Sequence, residues 1–221
     1  MNVNGTVLIV VLASAIFYGT PLLFAAVGEL LAERSGVLNL GVEGMMLIGA
    51  VTGFWTVQHV GGPGWVGLTT AVCVAALAAS AASSIHAILV ISLRANQIVS
   101  GLALTIFAGA SGLSSYLGAV GRLGGHPALH ELKAIDLFGL GNAPIVGPLL
   151  FHQNALVYVS WALVAVTVFY LTRTRPGLHL RAVGESPATA DAMGISVAGY
   201  RYAHTLIGGA LAGVGGAFFS L

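Results

Sequence analysis

Long apolar runs alternate with short polar segments along most of the chain. Six of these runs are long enough to cross roughly 30 Å of hydrocarbon, which takes about 20 helical residues at a rise of 1.5 Å each. Apolar runs of this length predict membrane-spanning helices. The sequence therefore predicts an all-α fold, a polytopic transmembrane helical bundle that forms one domain over residues 1–221. The six predicted spans cover residues 6–31, 37–57, 65–93, 98–117, 155–171 and 202–221.

The charged residues between these runs predict the orientation of the bundle. With the N-terminus outside, the inner segments carry six arginines and the outer segments carry two basic residues. Cytoplasmic segments of membrane proteins are enriched in arginine and lysine, so this orientation obeys the positive-inside rule and the reverse orientation violates it. The inner arginines are Arg34, Arg94, Arg173, Arg175, Arg181 and Arg201, and the outer basic residues are Arg122 and Lys133.

Composition agrees with a lipid environment. Hydrophobic residues make up 57% of the 221 residues and charged residues 7%, which is too little charge to cover a water-soluble domain of this length. The net charge of +1 and the single lysine leave no basic patch for nucleic-acid phosphates. The one cysteine, Cys73, lies in an apolar run, where we expect a small core residue.

Small residues concentrate in two predicted spans, as AALAASAASS at 75–84 and GGALAGVGGA at 208–217. Small residues let helix backbones approach closely, which is how helices associate where lipid removes the hydrophobic drive. We therefore expect close helix contacts at both sequences. The last apolar run continues to Leu221 without a polar flank, so we expect this helix to continue and the domain to be an incomplete one that lacks a C-terminal part.

A compact polar segment, RAVGESPATADAMGISV at 181–197, separates the last two predicted spans and lies inside in the predicted orientation. Ser186 suits the N-cap, Pro187 the first helical position and Gly194 the position after the helix end. These residues predict a helix of about seven residues, PATADAM. So short a helix needs packing, either in a protein groove or on the membrane surface. Its apolar side consists of Ala188, Ala192 and Met193.

Glu43 lies several residues into the second apolar run, where an ionised carboxylate costs roughly 2.5 to 3.5 kcal/mol unless it faces protein or water. Asn39 precedes it by one helical turn, and Gly41 and Gly44 flank it. One interpretation is a bent or discontinuous helix whose Asn39 and Glu43 side chains line a cavity. The other, which we favour because acids are common in first helical turns, is a helix start with Glu43 near the positive dipole end.

Amides and aromatic rings of the fourth span are further candidates for a solute path. Asn96 and Gln97 open this span from the inner side. They would either bind a polar solute or serve as a helix cap and a helix–helix hydrogen-bond partner. Phe107 and Tyr116 would supply aromatic faces in the same span.

The sequence predicts no catalytic residue and no metal site. His126 and His130, in the outer loop 118–154, have a spacing found in zinc sites, but no third ligand converges with them. No hydrolase signature and no GxxxxGK[ST] nucleotide-binding motif occurs. We therefore expect a chain that is not an enzyme, that binds no cofactor and that does not itself hydrolyse ATP.

Two stretches, LLAERSGVLNLGVEGMMLIGA at 30–50 and RAVGESPATADAMGISVAGYR at 181–201, resemble the permease subunits of bacterial ABC importers. The resemblance is to the branch for ribose, branched-chain amino acids and nucleosides, and it is closest to nucleoside and simple-sugar permeases. It implies a multi-pass subunit of the bacterial inner membrane that moves a small polar solute by alternating access. It also implies three partners: an ATPase subunit that uses ATP, a second permease subunit, identical or not, and an external solute-binding protein.

In such permeases the polar segment forms a coupling helix that docks in a groove of the ATPase subunit. The resemblance implies a docking surface here of Glu185, Ser186, Pro187, Ala188, Ala192, Met193 and Gly194. Two other classes stay open, a stand-alone carrier or pore and a structural membrane protein without transport. A proton-coupled carrier usually needs several ionisable residues deep in the membrane, and Glu43 is the one candidate.

Overall fold

The computed structural model describes residues 3–60, 64–109, 113, 117–118, 134–136, 139, 141 and 146–221, and every structural statement below concerns these residues. They confirm an all-α fold with one small sheet. The elements are α1 (Val3–Arg34), α2 (Val42–His59), α3 (Gly64–Ala87), π1 (Ile88–Ser92), α4 (Gln97–Ala108), β1 (Ala134–Asp136), π2 (Gly147–Phe151), β2 (His152–Asn154), α5 (Ala155–Arg173), α6 (Arg175–Glu185), α7 (Pro187–Ala192) and α8 (Val197–Ser220).

Four helical stretches in this part of the chain are long and apolar enough to cross a membrane. They match the first, third, fifth and sixth predicted spans and confirm a polytopic membrane protein. The second predicted span corresponds to α2, with 18 residues, and the fourth to α4, an apolar helix of 12 residues. The four stretches are Val7–Arg34, Gly64–Ser92, Ala155–Arg173 and Val197–Ser220.

Two predicted boundaries are wrong. The second span does not begin at residue 37, because residues 35–41 form turns and extended backbone, with Gly36 at a φ of +85°. The last span begins at Val197 rather than at residue 202, because the Ser196 hydroxyl accepts a hydrogen bond from the Gly199 N–H at 3.3 Å and caps the helix. The prediction that Cys73 is a core residue is also wrong, because Cys73 is exposed.

Helix α8 is the centre of the bundle and packs against α1, α2 and α3. Its glycines make the closest approaches. A Cβ atom at Gly208 would lie 2.6 Å from the Gly28 carbonyl oxygen of α1, and one at Gly213 would lie 2.5 Å from the Ala75 carbonyl oxygen of α3. The Ser83 hydroxyl also donates to a carbonyl of α8 at 2.7 Å. The small-residue runs therefore form the close helix contacts that the sequence predicts.

The outer loop is described only in part. Strands β1 and β2 pair antiparallel, with Ala134 opposite Asn154 and Asp136 opposite His152. Tyr116, His126 and His130 lie outside the described residues. Within the described residues, no group of three or more histidine, cysteine, aspartate or glutamate side chains could hold a metal ion.

Gly208→Ala tests whether close backbone contact holds α8 in place. We expect a lower Tm in detergent, because the added methyl overlaps the Gly28 carbonyl, at a cost of about 1 to 3 kcal/mol. The matched control is Gly19→Ala in α1, where the new methyl meets no atom within 4 Å. An equal Tm for the two variants would show that the bundle does not depend on this contact.

Candidate functional site

The first resembling stretch is interrupted between two helices. We call residues 35–41 the interhelical segment. Ser35, Val37 and Asn39 are buried in it while Leu40 is exposed. A non-helical backbone cannot satisfy its own N–H and C=O groups, and inside a membrane protein each one left unpaired is costly. Side chains from other helices must therefore supply the partners.

Helix α4 supplies two of these partners. The Gln97 Oε1 atom accepts a hydrogen bond from the Leu38 N–H at 2.6 Å. The Thr105 hydroxyl donates to the Leu40 carbonyl oxygen at 3.2 Å. Glycine at position 101 allows α4 to approach, since a Cβ atom there would lie 2.8 Å from the backbone nitrogen of Gly41. One face of α4, from Gln97 to Thr105, thus replaces missing helical hydrogen bonds of the segment.

Helix α8 supplies a third partner. The Arg201 Nε–H donates to the Ser35 carbonyl oxygen at 3.2 Å, across 166 residues of sequence. The same guanidinium lies beside Gly36. Helix α6 contacts the end of α1 just before the interhelical segment. There Gly184 packs directly on the Arg34 carbonyl with no room for a side chain. The residues around the polar segment are therefore in direct contact with the interhelical segment.

Asn39 and Glu43 lie in different surroundings. The Asn39 side chain is buried, and its Oδ1 accepts from the Gly41 N–H at 3.1 Å while its Nδ2 contacts the Met45 sulfur at 3.5 Å. Glu43 is exposed in the first turn of α2. The favoured interpretation of Glu43, a helix start, is confirmed, and the helix break that the alternative proposed lies just before it.

The fourth-span candidates are also separated. Asn96 is the N-cap of α4, and its Oδ1 accepts from the Ile98 and Val99 N–H groups at 3.0 and 3.2 Å. Phe107 lies near the other end of α4 and is 60% exposed. Helix capping therefore explains the position of Asn96, whereas Gln97 bonds to the interhelical segment.

Sequence reasoning missed a buried polar pair beside this segment. His86, in the last turn of α3, is 1% exposed, and its Nδ1 lies 3.0 Å from the Ser100 hydroxyl of α4. The backbone of Leu38 adjoins the same ring. A histidine in an apolar span is itself a signal, because polar residues there are costly and need partners.

The polar segment forms a short helix, as predicted, with six residues rather than seven. Gly194 has a φ of +78° and follows Met193, the C-cap. The Gly194 and Ile195 N–H groups donate to the Asp191 and Ala190 carbonyls at 2.9 and 3.0 Å, which is a Schellman ending. Glycine at this position fits the left-handed backbone that the ending requires.

The other end of α7 begins at the predicted N-cap residue but without a side-chain capping bond. Ser186 is the N-cap residue, but its side chain accepts no backbone hydrogen bond. Its hydroxyl instead bonds to the Thr189 hydroxyl at 2.7 Å. Pro187 takes the first helical position, as predicted.

The implied docking surface is largely free within the described part of the chain. Met193 is 77% exposed, Pro187 is half-buried, and the opposite side of α7 is closed by Ala190, which is 2% exposed. The exposed residues of this surface are Glu185, Ser186, Ala188, Ala192, Met193 and Gly194.

The two helices that flank α7 in the chain are bonded to each other and to α5. His179 of α6 bonds through Nδ1 to the Tyr200 hydroxyl of α8 at 3.1 Å. His204 of α8 bonds through Nε2 to the Tyr170 hydroxyl of α5 at 2.9 Å. The rings of Tyr200 and His204 are stacked, with centroids 5.8 Å apart. A displacement of α7 is therefore expected to be passed to α6 and α8.

This chain belongs to the family of permease components of branched-chain amino acid transport systems, whose profile matches residues 11–221. The chain is 42% identical over 206 residues to an ABC transporter permease protein of Haloferax volcanii, provisionally named for glucose, with 91% of this chain and 60% of that protein covered. It is 38% identical to a nucleoside ABC transporter permease of Lactococcus lactis subsp. cremoris, with 100% and 69% covered. It is 34% identical to a guanosine ABC transporter permease of Bacillus subtilis, with 97% and 68% covered.

The chain thus spans 60 to 69% of the length of these three relatives. No solved structure matches it. Family membership confirms the resemblance drawn from residues 30–50 and 181–201.

Gln97→Met tests the support of the interhelical segment. We expect the Leu38 N–H to exchange with solvent deuterium up to about tenfold faster, because the bond to Oε1, worth roughly 0.5 to 1.5 kcal/mol, is lost. The control is Gln97→Glu, which keeps an acceptor oxygen and should stay closer to the native rate. Native exchange in Gln97→Met, measured by mass spectrometry of a peptide covering 35–41, would contradict this role.

Proposed function

We propose that this chain works as the membrane-spanning permease subunit of an ATP-binding-cassette importer, with α7 as its coupling helix. The observation that supports this most strongly is the exposed α7, which lies between α6 and α8 in the chain and lines one groove with Arg201 of α8, whose guanidinium bonds to the interhelical segment. Family membership supports the same conclusion. The arginine-rich end of the bundle, which carries α7, would face the cytoplasm.

The proposed partners follow from this role. An ATPase subunit would receive α7 in a groove, a second permease subunit would complete the pathway, and a solute-binding protein would deliver the solute from outside. ATP would be bound and hydrolysed by the ATPase subunit rather than by this chain. The complex would lie in the cytoplasmic membrane, which is the inner membrane of a bacterium with two membranes.

The proposed solute is a nucleoside or a simple sugar. The relatives named for a nucleoside, guanosine and glucose support this choice. Such solutes carry several hydroxyl groups and are recognised by a few placed polar groups in a mostly apolar site. Tyr116 and Phe107 stay candidates for the path, whereas Asn39, Asn96 and Gln97 already bond to backbone groups in this conformation.

The proposed mechanism begins at α7. Movement of the ATPase subunits would displace α7 together with α6 and α8, since α7 is joined to both by short connections and the contact of His179 with Tyr200 ties α6 to α8. Arg201 on α8 and Gly184 on α6 would carry the displacement to Ser35 and its neighbours. A non-helical segment can change its backbone angles more readily than a helix, so it is a suitable hinge between the two access states.

A stand-alone proton-coupled carrier receives less support. Such a carrier needs ionisable groups deep in the bundle. Among the described residues, no aspartate, glutamate, lysine or arginine is fully buried, and Glu43 is exposed.

Replacing Ala188 and Met193 together by aspartate tests the docking role of α7. We expect co-purification with the cognate ATPase subunit to fall by roughly tenfold or more, because two carboxylates would be forced into an apolar contact. Met193→Leu keeps an apolar side chain of similar volume and should bind normally. An intact complex in the double variant, at normal membrane levels, would refute the coupling role.

A further inference from the structure

An open groove adjoins the docking surface on the side of α7 that faces π1. It lies between α7, the first turn of α8 and the end of π1, and it has a volume of 620 Å³. Both charged and small side chains line it. Its lining includes Arg94, Pro187, Ala188, Asp191 and Arg201.

Arg94 occupies a backbone position that disfavours it. Its φ is +53°, and it is the one residue other than glycine with a positive φ in the described part of the chain. The Ala95 N–H donates to the Leu89 carbonyl at 2.9 Å across this position, so the conformation is set by the ending of π1. Helix endings of this kind favour glycine because a Cβ atom is crowded there. Gly194 fills the equivalent position after α7.

An arginine in a glycine position suggests that its side chain has a use other than folding. The Arg94 side chain is exposed and makes no ion pair with the described residues. Arg201 already donates to Ser35. With two arginines and one aspartate, the groove has a positive balance, and the free guanidinium is the group suited to a carboxylate.

We propose that this groove is a second part of the ATPase interface and receives a carboxylate side chain that projects from the ATPase subunit beside the coupling helix. This inference rests on the proposed function. The groove is continuous with the docking surface, because Pro187 and Ala188 belong to both. The charge of Arg94 complements an acidic residue. The ATPase subunit would then contact α7 both at the docking surface and at the groove. The competing occupant is the phosphate of an anionic lipid.

Arg94→Gly separates folding from docking. Glycine relieves the positive-φ strain, so the Tm of the permease should be unchanged or higher. The affinity for the purified ATPase subunit should fall by roughly fivefold, with a weaker dependence on salt, because an exposed charge pair is lost. Arg94→Lys should retain part of the affinity. The control is Arg173→Ala, which removes an exposed arginine of α5 that does not line the groove.

The binding is measured with the complete membrane part in nanodiscs of zwitterionic lipid and again with anionic lipid added. A loss of affinity in both kinds of nanodisc, seen with Arg94→Gly and not with Arg173→Ala, supports a carboxylate of the ATPase subunit as the partner of Arg94. Equal affinities of Arg94→Gly and Arg173→Ala overturn the proposal, as does a loss that appears only with anionic lipid. The variant with aspartate at both 188 and 193 separates the two proposals. If it abolishes ATPase binding while Arg94→Gly binds normally, the groove is not part of the ATPase interface and the coupling role of α7 stands.

Discussion

The structure depends on satisfying the backbone of seven non-helical residues inside a helical membrane protein. Unpaired N–H and C=O groups are costly where water is scarce, so the interhelical segment needs partners on neighbouring helices. Gln97 provides an acceptor from α4 and Arg201 a donor from α8. Because these bonds hold the segment in place, they also make its conformation sensitive to any movement of α4 and α8.

Helix α8 both packs closely against its neighbours and carries the polar side chains that bond to them. Its glycines let it lie against three other helices at backbone distance, as at Gly208 and Gly213. Its first turns carry Tyr200, Arg201 and His204, which bind α6, the interhelical segment and α5 in turn. The tightly packed part resists deformation, so a displacement at the polar end is expected to move the helix as a body. This arrangement suits a helix that transmits motion from α7.

Much of the fold follows from local sequence. The apolar runs predict the helices, and Pro187 and Gly194 predict where α7 begins and ends, because both effects act within a few residues. The sequence places the start of α2 at residue 37 rather than at Val42 and so counts part of the interhelical segment as a span, since Val37, Leu38 and Leu40 are as apolar as the spans on either side. The supports of this segment, Gln97 and Arg201, lie 59 and 166 residues away from their partners. Hydropathy records the preference for lipid but not these distant hydrogen bonds, and the pairing of His86 with Ser100 was missed for the same reason.

Arg201, which lines a groove with Pro187 and Ala188 of α7 and bonds to Ser35, is expected to transmit movement of the coupling helix to the interhelical segment. The most direct measurement is hydrogen exchange of residues 35–41 in the complete transporter, with and without bound ATP. In the native protein ATP should change this exchange. In Arg201→Leu the change should disappear even when enough ATPase subunit is present to saturate binding, since the bond to the Ser35 carbonyl is gone. An ATP-dependent change of native size in Arg201→Leu would contradict the account.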